Sequence, residues 1–209
     1  MGRYLEAKCR LCRREKMKLF LKGIRCATEK CSFGKRPTPP GTHTRMSSKS
    51  SYYCLQLREK QKVKRMYGML EGQFKRFFKV ASKSRGVTGR TLIQLLERRL
   101  DNVIYRAIFA SSRSQARQFV CHGFAFIGEK RVDIPSYVIK GGDVIEIRAN
   151  ENIKALIREN IKIDSKERSV SSWIEADTEN LKIKILRMPE RDDLAAPVNE
   201  QLIVELYSK

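Results

Sequence analysis

Four of the six cysteines in this 209-residue chain lie near its start, as Cys9-x2-Cys12 followed by Cys26 and Cys31. A Cys-x2-Cys pair lets two thiolates hold one ion from a single tight turn, and a second pair 13 residues on can close a tetrahedron. Four thiolates with no open position describe a structural Zn2+ site rather than a catalytic one. The alternative is two reduced, unligated pairs. His43 could replace one thiolate, although a solitary exposed histidine is the default. Residues 1–45 contain few large apolar side chains (Leu5, Leu11, Leu19, Phe20, Leu21, Ile24, Phe33), and a unit that small needs a metal to fold. The ion would then hold Arg3, Tyr4, Arg10, Arg13, Arg14 and Lys22 ready for phosphates. Cys54 and Cys121 stand apart and read as buried, inert thiols. The adjacency of Cys121 and His122 is poor geometry for a nucleophile and its base.

The elements that must carry these groups follow from the apolar periods. Residues 52–67 read as a helix with Leu55, Val63, Met66 and Tyr67 on one arc and a basic stripe of Arg58, Lys62 and Arg65. Residues 70–84 read as a second helix, with Leu70, Phe74, Phe77, Phe78 and Ala81 facing a core and Lys75, Arg76, Lys79 and Lys83 opposite; Gly86 ends it. A merely solvated face would carry acidic partners at i+4. They are nearly absent, so the stripes read as phosphate-binding surfaces.

Thr91 could cap a third helix running through Leu92, Leu96, Leu100 and Val103 toward Tyr105. Ser111 or Ser112 could cap a fourth, closed by Gly123, which carries Arg113 and Arg117 at i, i+4. Residues 125–127 and 131–134 form a hairpin with Gly128 first in its turn, and Val144–Ile147 is a further strand. Residues 151–162 read as an amphipathic helix, and Trp173–Ala176, Lys182–Leu186 and Leu202–Leu206 as strands. Trp173 reads as a core residue. The fold class is α+β, with an N-terminal zinc module (1–45), a basic helical region (46–97), a compact module of two helices and a small antiparallel sheet (98–160), and a C-terminal segment (161–209) packing back on the helical region.

The net charge is +21, from 44 Lys plus Arg against 23 Asp plus Glu. Residues 1–50 carry +11 and 51–100 carry +10, whereas 101–150 carry +2 and 151–209 carry −2. The first half is therefore the side for a polyanion, and the second is suited to protein partners. No run approaches 18 apolar residues and no apolar leader opens the chain, so a soluble, cytosolic protein with no membrane contact is expected.

Several runs are recognisable. Arg99-Leu100-Asp101-Asn102-Val103-Ile104-Tyr105-Arg106, Ala116-Arg117-Gln118 with Val120 and His122-Gly123, Pro135-Ser136-Tyr137 and Gly142-Asp143 resemble the S-four RNA-binding module. Gly2-Arg3-Tyr4, Arg13-Arg14-Glu15, Pro40-Gly41 with His43, the run from Gln56 to Lys62, and Asn199-Glu200-Gln201-Leu202 extend the match. Over its whole length the chain resembles the zinc-binding branch of the bacterial S-four family of ribosomal proteins, whose four ligands fall on Cys9, Cys12, Cys26 and Cys31. The resemblance implies a structural constituent of the small ribosomal subunit that binds the 5′ domain of 16S ribosomal RNA early in assembly. It also implies contact with ribosomal protein S-five, a place near the messenger entry channel and an influence on decoding accuracy.

The chain departs from the family pattern at Gly128-Glu129, where Asn-Gly is usual, and at Ile108, where Gly is usual. Thr42 and Thr44 flank His43 in place of Gln and Gly, and Glu6-Ala7 replaces Gly-Pro. The enzymatic rival is a pseudouridine synthase, which uses the same module with a catalytic Asp in an Arg-Leu-Asp motif; Arg99-Leu100-Asp101 matches those letters. A zinc-finger reader of duplex DNA is the second rival, but it needs tandem or dimeric symmetry that the sequence does not show.

Overall fold

A computed structural model describes residues 2–41, 51–193 and 198–208. The expectations on His43 and its flanking threonines lie outside these residues. The chain divides into two compact units, one formed by residues 1–93 and 195–209 and the other by 94–194.

The first unit opens with α1 (Cys9–Glu15), a 3-10 turn (Gly23–Cys26) and the single-turn α2 (Ser32–Lys35). α3 (Tyr52–Met66) begins where the Ser51 hydroxyl accepts a hydrogen bond from the Cys54 N–H at 3.2 Å. Val63, Met66 and Tyr67 are buried as the period requires, but Leu55 is 47% exposed. Gln56 and Lys60 are buried instead, because each finds a carboxylate: Gln56 donates to Glu205 at 3.0 Å and Lys60 to Glu71 at 2.6 Å. α4 (Glu71–Lys83) buries Phe74, Phe77 and Ala81 on one face. α5 (Thr88–Glu97) starts three residues before the expected Thr91 cap, and the boundary between the units falls within it.

The expected continuous helix from Thr91 to Tyr105 is broken. Arg99 is extended (φ −65°, ψ 136°) and pairs with Val138, while the Leu100 and Asp101 N–H groups donate to the carbonyls of Tyr137 and Pro135. Those long-range bonds replace the helical ones and restart the helix as α6 (Leu100–Arg106). α7 (Arg113–Cys121) is capped by Ser112, whose hydroxyl accepts from the Gln115 N–H. Then come β1 (Ala125–Ile127), β2 (Lys130–Arg131), β3 (Val144–Ile147), α8 (Glu151–Asp164), β4 (Ile174–Asp177) and β5 (Lys182–Ile185). Gly128 takes φ +60° at the head of the β1–β2 turn, so the hairpin forms without Asn-Gly.

The five strands make one antiparallel sheet in the order β2-β1-β3-β5-β4. This moves the boundary expected at residue 160. β5 pairs with β3 along Val144–Glu146, and Trp173, Ile183 and Ile185 share a core with Val103 and Ile104 of α6 and Phe119 of α7. Trp173 is fully buried, as its expected core role requires. Only residues 195–209 return to the first unit, and there the expected strand Leu202–Leu206 is a helix, α9 (Glu200–Tyr207). Its run of apolar residues has no period of its own. Asn199 caps it by accepting from the Leu202 N–H, and Ile203 and Tyr207, four residues apart, set the packed face. Cys121 is exposed and Cys54 half-buried, contrary to the buried thiols expected.

Ile108 occupies a position built for glycine. α6 ends with the Phe109 N–H on the Ile104 carbonyl and the Ile108 N–H on the Tyr105 carbonyl, which demands a left-handed residue after the cap. α7 ends on the same pair of bonds with Gly123 at φ +76°. Ile108 is forced to φ +65° although β-branched, while its side chain stays 4% exposed. Ile108→Gly should therefore be more stable than Ile108→Ala by about 1 kcal/mol, reversing the usual order of these residues. Thermal denaturation of the two variants checks this; an alanine variant at least as stable would show that the position carries no left-handed strain.

Candidate nucleic-acid interface

In the N-terminal segment, backbone N–H groups are directed at two thiols: Leu19 toward Cys12, and Lys22 toward Cys26 at 3.4 Å. Burial pushes both thiols above their ordinary pKa. The other cysteines are near enough to raise Cys12 further, and Cys31 and Cys9 do the same to Cys26. The donor set suits zinc chemistry. Among the described residues, however, no group of three or more His, Cys, Asp or Glu side chains is drawn into a metal-holding cluster.

Of the cations expected beside this segment, Arg3, Arg14 and Lys22 are exposed. Tyr4 is also exposed and donates to Glu6 at 3.3 Å. Arg10 lies 3.8 Å from Glu6, an exposed pair of little energetic consequence. Arg13 is a strap, its Nε donating to the Thr38 carbonyl at 2.8 Å.

The expected basic stripe of α3 is not a free surface. Arg58 and Arg65 both bind the Glu15 carboxylate, whose side chain is 2% exposed, and Lys62 binds Glu59 at 2.6 Å. On another part of the helix Lys60 and Lys64 bind Glu71 at 2.6 and 2.8 Å. The carboxylate that neutralises Arg58 sits 43 residues upstream, beyond the reach of an i+4 search. These cations hold α3 within its unit.

α4 is the opposite case. Lys75, Arg76, Lys79 and Lys83 are all exposed, and among the described residues none has an ion-pair partner. Arg85, just beyond the helix, and Arg90, in the first turn of α5, were not singled out by the apolar period and are likewise exposed. Removal of their side chains from an acid partner keeps the full charge available to an anion. This surface is the strongest candidate for phosphate contact.

In the second unit the expected pair Arg113 and Arg117 also serves the fold. Arg117 is 8% exposed and lies 3.5 Å from Asp101, to which Arg99 donates twice at 3.0 and 2.7 Å. Arg113 donates to Asn102 at 2.8 Å with its guanidinium 4.4 Å from the Tyr105 ring centroid. Asn102 in turn donates to Glu97, whose carboxylate takes two further bonds from Arg106. Asp101 is thus a 4% exposed carboxylate held by guanidinium groups, unavailable as a nucleophile. The three-letter match to a catalytic motif is a structural ion pair.

Two family descriptions match the chain: "Ribosomal protein S4/S9 N-terminal domain" over residues 3–97 and "S4 domain" over 98–145. These define the class, a ribosomal protein carrying an S4 domain. Relatives named small ribosomal subunit protein uS4 are 54% identical in Thermodesulfovibrio yellowstonii, 55% in Dictyoglomus turgidum and 54% in Caldicellulosiruptor saccharolyticus, each over 209 residues and the full length of both chains. The chain belongs to the uS4 family of small-subunit ribosomal proteins, a family of structural proteins and not of enzymes. No described helix is long and apolar enough to cross a membrane.

Glu71 gives a titration test of the first unit. Burial pushes its carboxyl up, but hydrogen bonds from Lys60, Lys64 and Tyr207 outweigh this and pull its pKa down to about 2. A depressed carboxylate stabilises the fold above its unfolded pKa of about 4.3, and that contribution disappears as pH falls through about 2. Glu71→Gln should therefore cost on the order of 1 kcal/mol at pH 7, a value reduced by the side chain's 45% exposure. The gap between the two proteins should close below pH 4. Denaturant midpoints measured from pH 7 to pH 2 check this; a gap independent of pH would contradict it.

Proposed function

We propose that this chain is a structural, RNA-binding constituent of the small ribosomal subunit that holds phosphates of the 5′ domain of 16S ribosomal RNA. It does so chiefly through α4 and the exposed cations of the N-terminal segment. The observation that supports this most strongly is the contrast between α3, whose cations are neutralised internally, and α4, whose cations are left exposed to solvent. A-form RNA hides its major-groove edges, so recognition rests on where phosphates fall around a folded junction more than on base sequence. The protein takes part in no reaction; its role is to fix the RNA early in subunit assembly, in the cytoplasm.

The finer reading extends this in three directions. Cys9, Cys12, Cys26 and Cys31 hold a structural Zn2+ that orders residues 1–45, supported by their spacing, their mutual electrostatic influence and the N–H groups directed at Cys12 and Cys26. Ribosomal protein S-five is a partner, and the chain lies near the messenger entry channel, where it influences decoding accuracy. The low net charge of the second half supports its use for protein contacts.

Lys75→Ala/Lys79→Ala should weaken binding to a 16S 5′-domain fragment and reduce the slope of log affinity against log salt by about 1.5. Arg117→Ala should instead lower stability by about 3 kcal/mol, because it breaks a buried ion network. Filter binding across a salt series, with thermal denaturation alongside, separates the two effects. An unchanged slope in the lysine variant, or tighter binding to duplex DNA at equal salt, would contradict the reading. Chelation or Cys9→Ser should expose residues 1–45 to protease and weaken RNA binding; a protease pattern unchanged by chelation would remove zinc from the account.

A further inference from the structure

α9 is separated in sequence from the rest of its unit by 101 residues of the other unit, from Gln94 to Leu194. Within its own unit it is fixed at both ends. At its start the Asn199 N–H donates to Glu59 at 2.8 Å, and α9 runs so close to Gly89 that an added Cβ would lie 2.7 Å from the Glu200 Cβ. In its last turn, Glu205 accepts from Gln56 at 3.0 Å and from the Tyr52 hydroxyl. These contacts go to α3 and α5. They would hold α9 in place with no reference to α4.

Tyr207 adds the link to α4, and it does so in two ways. Its ring stacks on Phe78 with centroids 4.4 Å apart and lies 6.2 Å from Phe74. Its hydroxyl donates to Glu71 at 2.9 Å, on the carboxylate already bound by Lys60 and Lys64 of α3. The Lys60 ammonium also lies 5.6 Å from the Tyr207 ring centroid. One carboxylate and one phenol therefore join α3, α4 and α9, and they grip the first turn and the middle of α4. Lys75, Arg76 and Lys79 stand on the intervening and adjoining turns and are exposed.

We infer that Tyr207 is a positioning residue for RNA binding: by stacking on Phe78 and donating to Glu71 it fixes the rotation of α4 about its axis, and so the places where Lys75, Arg76 and Lys79 meet phosphates. The inference rests on the RNA-binding reading of α4. A helix rotates as a unit, so a small loss of register shifts all three cations together. The same three cations on a helix of loose register would still attract a polyanion, but would not match a fixed set of phosphates. Tyr207 touches no phosphate itself in this scheme. Its contribution is the loss of freedom in a surface that must be preorganised before binding.

The test uses the full chain, the variants Tyr207→Ala and Tyr207→Phe, and each combined with Lys79→Ala. The phenylalanine variant keeps the ring and removes the hydrogen bond, so it remains informative if the alanine variant loses α9. Hydrogen exchange on the free protein should show faster exchange in α4 for Tyr207→Ala, with α3 protected as before. Binding to a 16S 5′-domain fragment should fall about tenfold for Tyr207→Ala and about threefold for Tyr207→Phe. Lys79→Ala should cost less in the Tyr207→Ala background than in the unaltered chain, because a mispositioned lysine has less to lose. Equal Lys79→Ala effects in both backgrounds, or α4 exchange unchanged by Tyr207→Ala, would overturn the inference. Failure of the unaltered chain to bind the fragment would instead sink the RNA-binding reading, and the exchange result would still decide whether Tyr207 restrains α4.

Discussion

Cations outnumber carboxylates nearly two to one in this protein, and three of the carboxylates each hold two cations. Glu15 takes Arg58 and Arg65, Glu71 takes Lys60 and Lys64, and Asp101 takes Arg99 and Arg117. A chain with a net charge of +21 repels itself when it compacts, so these few acids decide which segments can pack. A cation that meets one of them becomes part of the fold. One that does not stays at the surface, fully charged, and is left for an external anion. The structure of the first unit follows from that division, with α3 as the neutralised helix and α4 as the charged one.

The same division governs the second unit on a smaller scale. The run from Glu97 to Arg117 is rich in charge, yet its polar groups bond to one another: Arg106 and Asn102 to Glu97, Arg113 to Asn102, Arg99 and Arg117 to Asp101. Buried networks of this kind contribute little net stability, but breaking one leaves an uncompensated charge. This network lies at the start of α6, where the Tyr137 and Pro135 carbonyls take the Leu100 and Asp101 N–H groups and break the helix that period alone would continue. The sheet and α8 then close over Val103, Ile104 and Phe119 with ordinary apolar packing. Charge in this unit is a structural material, and its arginines and lysines are nearly balanced by acids in the sequence.

Much of this was legible in the sequence. The periods of α3 and α4, the Ser112 cap, the Gly128 turn, β3 and the buried Trp173 all follow from local rules, because their causes lie within a few residues. The errors share one physical origin. Glu15 neutralises Arg58 from another helix, the carbonyls of Pro135 and Tyr137 interrupt a helix from across the unit, and β5 extends a sheet from beyond residue 160. None of these causes is visible within a window of one turn. A continuous apolar run carries no period, so residues 202–206 resemble a strand in sequence, and only the Asn199 cap marks α9 as helical. The candidate surface is half legible: the α4 cations are exposed as their period implies, whereas the α3 cations and Arg117 meet carboxylates, and Arg113 meets Asn102, from outside their own turn.

The central claim is that the cations of α4 meet RNA while those of α3 are already committed to carboxylates. Lysine acylation read by mass spectrometry, on the free chain and on its complex with a 16S 5′-domain fragment, tests it most directly. Lys75, Lys79 and Lys83 should react readily in the free protein and become protected in the complex. Lys60, Lys62 and Lys64 should react slowly in both, with little change on binding. Protection of the α3 lysines with no change on α4 would contradict the account.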